Sequence, residues 1–229
     1  MKRFSSLLII LCITLSVVAQ GQAKYVFYFI GDGMGENQTM LPKGYDREKM
    51  YTDEGTTNFT DGEDFFYGYL LPSMGNVATD SLSGTTDSAA AATALSSGYK
   101  TVNGYIGKNS NKGNVPSLTE LAAEKGKATA VMSTEGQTGA TPAAFSAHAN
   151  NRYDTADILA TQAALVEQYG TIINCDYNVY TEAEMVALRA SIIDTLHQLS
   201  KDEDGFFMMY EEAYIDKHCH NKRAAEAYL

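Results

Sequence analysis

The chain's apolar positions fall into two rhythms. Residues 25–30 are a continuous β-prone run closed by Gly31, the pattern of a strand covered on both faces, and so predict a central parallel sheet. Ser117 followed by Glu120 makes a capping box before Leu121, Ala122 and Ala123. Gly126 closes that helix, and residues 128–132 read as the next strand. Helical spacing recurs over 155–168, through Ile158, Leu159 and Ala163, and over 182–199, through Met185, Leu188, Ile192 and Leu196. Residues 202–205 form a polar break before 206–210, a second buried-strand pattern. This alternation predicts a layered α/β domain. Residues 41–66 are polar, with Gly44, Gly55 and Gly62, and read as a long surface excursion.

The first residues follow a different logic. Lys2 and Arg3 precede an apolar run over 7–18, and Gly21, Gln22 and Ala23 end in a small residue suited to signal-peptidase cleavage. The run falls short of the roughly 20 apolar residues that a bilayer span needs. Residues 1–23 therefore read as a signal peptide of a periplasmic or secreted protein, with no stable membrane span after cleavage. Cys12 follows the bulky Leu11, where a bacterial lipoprotein signal needs a small residue, which argues against lipidation. Cys175 and Cys219 remain, enough for one bridge and too few for a disulfide scaffold.

The 229 residues are 45% apolar, which supplies a sizeable core and argues against a disordered chain. Acidic residues number 28 against 17 basic ones, a formal charge of -11. No nucleic-acid binding is expected of such a surface, whereas its carboxylates could serve metals.

Four clusters carry candidate chemistry. Asp32, set among Gly31, Gly33 and Gly35, follows the first strand, where ligands of an open parallel sheet gather; the alternative is a glycine-rich turn with a capping Asp. Ser88 opens a helix signalled by Ala89, Ala90, Ala91 and Ala92, so its hydroxyl meets the positive end of a dipole, unless Asp87 or Ser88 is simply the N-cap. Thr141 and Pro142 read as a cap and first turn, and helical spacing would put His148 and Arg152 on one face. An arginine fork matches phosphoryl oxygens, although a surface ion pair is its commoner use. Last, an extended strand would deliver Glu211, a hard oxygen donor, and Asp216 with His220, a plausible zinc pair; a polar surface loop is the alternative.

Taken in order, these clusters resemble the alkaline phosphatase family of secreted metal-dependent phosphomonoesterases. The likeness runs through Phe29-Ile30-Gly31-Asp32-Gly33-Met34-Gly35 and Thr86-Asp87-Ser88-Ala89-Ala90. It continues through Ala140-Thr141-Pro142-Ala143-Ala144 to His148 and Arg152, and through Gly205-Phe206-Phe207 to Glu211, Asp216 and His220. It implies a three-layer α/β/α fold with a mainly parallel central sheet over residues 24–229. That domain would be partial: shortened between Arg152 and Gly205 and truncated at the C-terminus. An exposed apolar edge is then expected.

The resemblance also implies roles. Ser88 matches the nucleophile and Arg152 the phosphoryl clamp; Asp32 matches the carboxylate that bridges a zinc and the magnesium. Thr141 and Glu211 match the other magnesium ligands, and Asp216 and His220 two ligands of the remaining zinc. Implied cofactors are Zn2+ and Mg2+, and the implied reaction is in-line attack of Ser88 on a phosphate monoester through a phosphoserine. A homodimer is compatible with this. Gly139 stands where some members carry an acid near the magnesium. The histidines are His148, His197, His218 and His220, and no Asp-His pair occurs, so the Ser-side zinc has only Asp32 and Ser88. Completing the Asp216 and His220 site would fall to His218 or Cys219, but adjacent positions on a strand face opposite ways. Weak or absent turnover follows, with a noncatalytic phosphate- or metal-binding fragment as the alternative.

Overall fold

The computed structural model describes residues 23–35, 73 and 75–222. The signal-peptide reading, Ala23 apart, and the excursion over 41–66 lie outside the described residues. Within them, β1 (Tyr25–Gly31), β2 (Ala128–Ser133), β3 (Ile172–Cys175) and β4 (Phe206–Glu212) form one parallel sheet in the order β1-β4-β2-β3. Six helices accompany them: α1 (Ser88–Ser97), α2 (Leu118–Ala123), α3 (Ala140–Ser146), α4 (Thr155–Tyr169), α5 (Glu182–Leu199) and α6 (Tyr214–His220). No described helix is long and apolar enough to cross a membrane.

Alternate strand residues serve opposite faces, and this divides the core. Val131, Phe207 and Met209 pack with Phe145 of α3 and with Leu118 and Ala122 of α2. Ala130, Met132, Phe206 and Met208 face the other way, onto Ile192, Leu196 and Leu199 of α5. Helices thus cover both faces, the three-layer α/β/α arrangement. Burying each of these larger side chains contributes about 1.5–3 kcal/mol. A separate cluster joins Ala89 and Ala92 of α1 to Ala140, Ala143 and Ala144 of α3 and Ile158 of α4. Its small side chains let α1 and α3 approach until the Ser96 hydroxyl donates to the Ala144 carbonyl at 2.8 Å.

Four expectations need correction. The first concerns β1, which was expected to be covered on both faces. Val26, Tyr28 and Ile30 pack on the α2–α3 side, but Tyr25, Phe27 and Phe29 are 52%, 48% and 71% exposed. The reason is position: β1 is an edge of the described sheet, and α5 packs over β4 and β2 instead. An apolar groove of about 330 Å³, lined by Phe27, Phe29, Leu188, Ile192 and Met208, lies on this face; Asp32, Ser88 and Arg152 do not line it.

Second, the segment bearing Asp216 and His220 is helix α6, not a continuation of the strand. The β4 run ends at Glu212, whose Oε1 accepts from the Tyr214 amide at 3.0 Å and turns the chain. Third, Thr141 is not a cap. Gly139 occupies that position, without a side-chain bond, and Thr141 and Pro142 lie inside α3. Fourth, His148 and Arg152 share no helix face, because the backbone at Ala147 is extended (φ -152, ψ 169) and ends α3 before either. Cys175 and Cys219 form no disulfide.

Candidate functional site

The chemistry collects beyond the carboxyl ends of the strands, as expected for an open parallel sheet. Asp32 follows β1, Glu135 stands just past β2, and Glu211 is the next-to-last residue of β4. Backbone bonds hold these ends together: the Asp32 amide donates to the Glu212 carbonyl at 3.1 Å and the Thr134 amide to the Glu211 carbonyl at 3.2 Å. Gly33 has φ +63, and a Cβ there would lie 2.5 Å from Asp216 Oδ1. Only glycine lets α6 bring that carboxylate against the β1 loop.

Glu211 and Glu212 diverge, as neighbours on a strand must. Glu212 organises the turn into α6, accepting from Thr134 Oγ1 at 2.8 Å and from the Tyr210 hydroxyl at 3.0 Å. Glu211 points into the site and is fully buried. Its Oε2 accepts from Ser133 Oγ at 2.6 Å, whereas its Oε1 has no hydrogen-bond partner. Burial first, then the charges of Glu135 and Asp32, push its pKa to about 8; the nearby Thr141 and Ser133 hydroxyls counter only part of this. Asp32 is raised too, chiefly by burial and then by Asp216, against the Gly33 amide, Arg152 and His220. These mutual influences join Asp32, Glu135, Glu211, Asp216, Arg152 and His220 in one electrostatic neighbourhood, with Thr141 facing Glu211.

Ser88 and Arg152 meet through Asp87. Asp87 is the N-cap of α1, and its Oδ1 accepts from the Ala90 amide at 2.9 Å. Its Oδ2 accepts from the Gly104 amide at 3.0 Å and from Arg152 Nη1 at 3.3 Å. Capping by Asp87 leaves the Ser88 hydroxyl outside the cap, at the positive end of a ten-residue helix. The guanidinium thus stands beside the residue that precedes Ser88, and its charge also reaches Asp32.

His148 serves a neighbouring structural purpose. Its Nδ1 meets the Gly107 carbonyl at 2.7 Å and its Nε2 meets Glu120 Oε1 at 2.9 Å, tying the first turn of α2 to a loop. Burial alone would lower its pKa, but Glu120 and the Gly107 carbonyl raise it overall. Glu120 is lowered, burial being outweighed by His148 and Ser117. The raised imidazole contributes stability that is complete below pH 6.5 and lost as pH rises through its folded value; the lowered carboxylate contributes above pH 4.5 and fails as pH falls through its own. His148→Ala should therefore cost about 1.5–3 kcal/mol near pH 5.5 and clearly less near pH 9, read from denaturant melts. A cost independent of pH would remove the charged pair from the account.

Glu211 Oε1, buried and unpartnered, is a hard oxygen donor of the kind a small divalent cation such as Mg2+ takes, and both Asp32 and Thr141 act on that carboxyl. Zinc fits less well. Asp216 Oδ2 and His220 Nε2 lie 3.4 Å apart on one face of α6. His218 is buried instead against Tyr180 and Tyr214. Among the described residues no three His, Cys, Asp or Glu side chains stand at metal-ligand spacing, so the usual three protein ligands of catalytic zinc are not assembled. Sequence reasoning passed over Asp87 as the holder of Arg152, and Ser133, Glu135 and Lys217 altogether. The rule that singled out Asp32, a carboxylate just past a strand end, also selects Glu135.

The Alkaline phosphatase family model matches residues 23–186. Alkaline phosphatase 3 of Bacillus subtilis (strain 168) is 37% identical over 134 residues, 58% of this chain and 27% of the relative. Alkaline phosphatase of Escherichia coli (strain K12) is 36% identical over 137 residues, 57% of this chain and 26% of the relative. These alignments span about a quarter of the relatives' own length. Among solved structures, alkaline phosphatase from the Antarctic bacterium TAB5 has a TM-score of 0.63 at 24% identity, covering 90% of this chain and 69% of that one. A TAB5 variant with Mg bound scores the same. Thermus thermophilus alkaline phosphatase gives 0.68 at 21% identity, covering 91% and 54%. Those likenesses carry the fold, while the family match spans most of the sequence and runs through Asp32, Ser88, Thr141 and Arg152: the chain belongs to the alkaline phosphatase family.

Proposed function

We propose that the chain is an exported, metal-dependent phosphate monoester hydrolase that works through a phosphoserine at Ser88. The observation that carries this reading is the Asp87 carboxylate, which caps α1 and holds Arg152 beside the Ser88 position. A phosphate monoester there meets the α1 amides, whose partial positive charge favours its anion, and a guanidinium fork that matches two of its oxygens. The Ser88 Oγ forms a bond to phosphorus as the ester P–O bond breaks and the alcohol departs. Water then takes the phosphoryl group, releasing inorganic phosphate and restoring the serine.

Asp32, Thr141 and Glu211 are the residues that would hold Mg2+, and Asp216 with His220 would contribute two ligands to zinc. Such cations, when bound, neutralise phosphoryl charge and ease deprotonation of water. Arg152 balances the carboxylate cluster at the substrate side and keeps its fork aimed by Asp87. Export is supported by Lys2, Arg3 and the apolar run over 7–18.

The chain supplied with Mg2+ and Zn2+ should release the chromophore from a nitrophenyl phosphate and lose that activity on chelation. An acid quench during turnover should leave a phosphoryl adduct that peptide mass spectrometry maps to Ser88. Phosphate binding without turnover, or turnover indifferent to chelation, would overturn the proposal.

A further inference from the structure

A threonine inside a helix usually turns its hydroxyl to solvent or back to the carbonyl four residues earlier. Thr93 of α1 does neither. It is fully buried, and its Oγ1 donates to the Tyr105 carbonyl at 3.1 Å and accepts from the Gly107 amide at 3.0 Å. One side chain thus holds both ends of a short backbone segment, 105–107, that lies between α1 and α2.

That segment touches both parts of the anion site. Just ahead of it, the Gly104 amide donates at 3.0 Å to Asp87 Oδ2, the oxygen that also accepts from Arg152 Nη1 at 3.3 Å. In its middle, Ile106 exchanges two backbone bonds with Ala149, which stands shortly before Arg152: the Ile106 amide donates at 3.1 Å and the Ala149 amide at 3.0 Å. At its end, the Gly107 carbonyl meets His148 Nδ1 at 2.7 Å. Gly107 has φ +57, and a Cβ there would lie 2.4 Å from the Ala147 carbonyl oxygen, so the two stretches of backbone meet with no room for a side chain.

These contacts close a ring. It runs from Asp87 along α1 to Thr93, across to Tyr105 and Gly107, through Ile106 to Ala149, on to Arg152 and back to Asp87. The closing ion pair is partly open to solvent, with the Arg152 and Asp87 side chains 28% and 25% exposed, and such a pair holds an arginine only weakly by itself. The buried Thr93 braces the ring from inside.

We infer that Thr93 is a positioning residue for Arg152: its hydroxyl fixes segment 105–107 on α1, and the segment fixes the backbone that presents the guanidinium beside Ser88. This rests on the phosphate site proposed above.

Thr93→Val nearly keeps the side-chain volume and removes both bonds. In the full chain it should weaken inorganic phosphate binding, read by titration calorimetry, by about tenfold. It should lower kcat/KM toward a nitrophenyl phosphate by about 10–100-fold, up to the loss that a misplacement of about 1 Å causes. Thr93→Ser, which keeps the hydroxyl, should bind and turn over like the wild type. With Arg152→Ala already in place, Thr93→Val should change phosphate affinity by less than about twofold, since the group it positions is gone. A merely structural threonine would give equal losses in both backgrounds, and that result overturns the inference. So does a folded Thr93→Val that binds phosphate as tightly as the wild type. If Thr93→Val does not fold, Thr93→Cys, with a weaker hydrogen-bonding group in a similar volume, is judged by the same two criteria. Phosphate titration needs no turnover, so a chain that binds phosphate but hydrolyses no ester loses the proposed function while Thr93 is still tested. A wild-type chain that binds no phosphate refutes both.

Discussion

Ser88→Ala is expected to abolish phosphoserine formation and to lower turnover by roughly a thousandfold or more, the scale on which a preorganised site loses rate with a single reacting group. The same substitution should change inorganic phosphate affinity by less than about tenfold, because the anion still meets Arg152 and the α1 amides. Stability should barely move. The cap of α1 is Asp87, bonded to the Ala90 amide at 2.9 Å, so removing the Ser88 hydroxyl costs no cap. Asp87→Ala makes the opposite pattern, because it removes that cap and the 3.3 Å bond to Arg152 together. Steady-state kinetics, phosphate titration and melts on the same preparations separate these cases. Unchanged turnover in Ser88→Ala would sink the serine mechanism outright.

The fold was legible wherever periodicity and capping agreed. The spacing of Met185, Leu188, Ile192 and Leu196 predicts a helix over 182–199, and α5 has those bounds because Thr181 and Glu184 form a capping box at its start. The Ser117 and Glu120 box likewise marks the start of α2. What failed depended on neighbours. Phe27 and Phe29 look like core residues in sequence, and only the sheet order, with β1 at an edge of the described strands, leaves them exposed. Residues 214–220 carry no apolar rhythm, and their helix is set by Glu212 and Thr134, which turn the chain after β4.

The site divides along the same line. Asp32, Ser88 and Glu211 could be singled out because each stands next to a readable element boundary, where backbone amides and strand ends favour charge and ligands. His148 and Arg152 were misjudged from their four-residue spacing, since an extended Ala147 sends one to Glu120 and the other to Asp87. Glu135 was passed over although it too stands just past a strand end, two residues beyond β2, where the rule that selects Asp32 also points.

Replacing Glu211 by Gln should give the largest gain in stability of any single change at this site when metal is withheld, and the largest loss when it is supplied. The wild-type carboxyl is fully buried, one oxygen is unpartnered, and burial with the charges of Glu135 and Asp32 raises its pKa from 4.5 to about 8. A raised folded value means that the native state holds the proton more tightly than the unfolded chain does. Its favourable contribution is therefore complete below about pH 4.5 and disappears as pH rises through about 8. The amide of Gln keeps the side-chain shape, can still accept from Ser133, and carries no charge to desolvate. In chelator the variant should match the wild type near pH 5 and exceed it by a few kcal/mol near pH 9. Saturating Mg2+ should reverse the order near pH 9, because ligation stabilises only the chain whose carboxylate it engages, by an amount that grows with the logarithm of metal concentration. Denaturant melts at the two pH values, with and without Mg2+, measure all four cases. A variant no more stable than wild type at pH 9 in chelator would mean that the Glu211 charge is already compensated within the protein, and the case for a cation beside it would lose its physical basis.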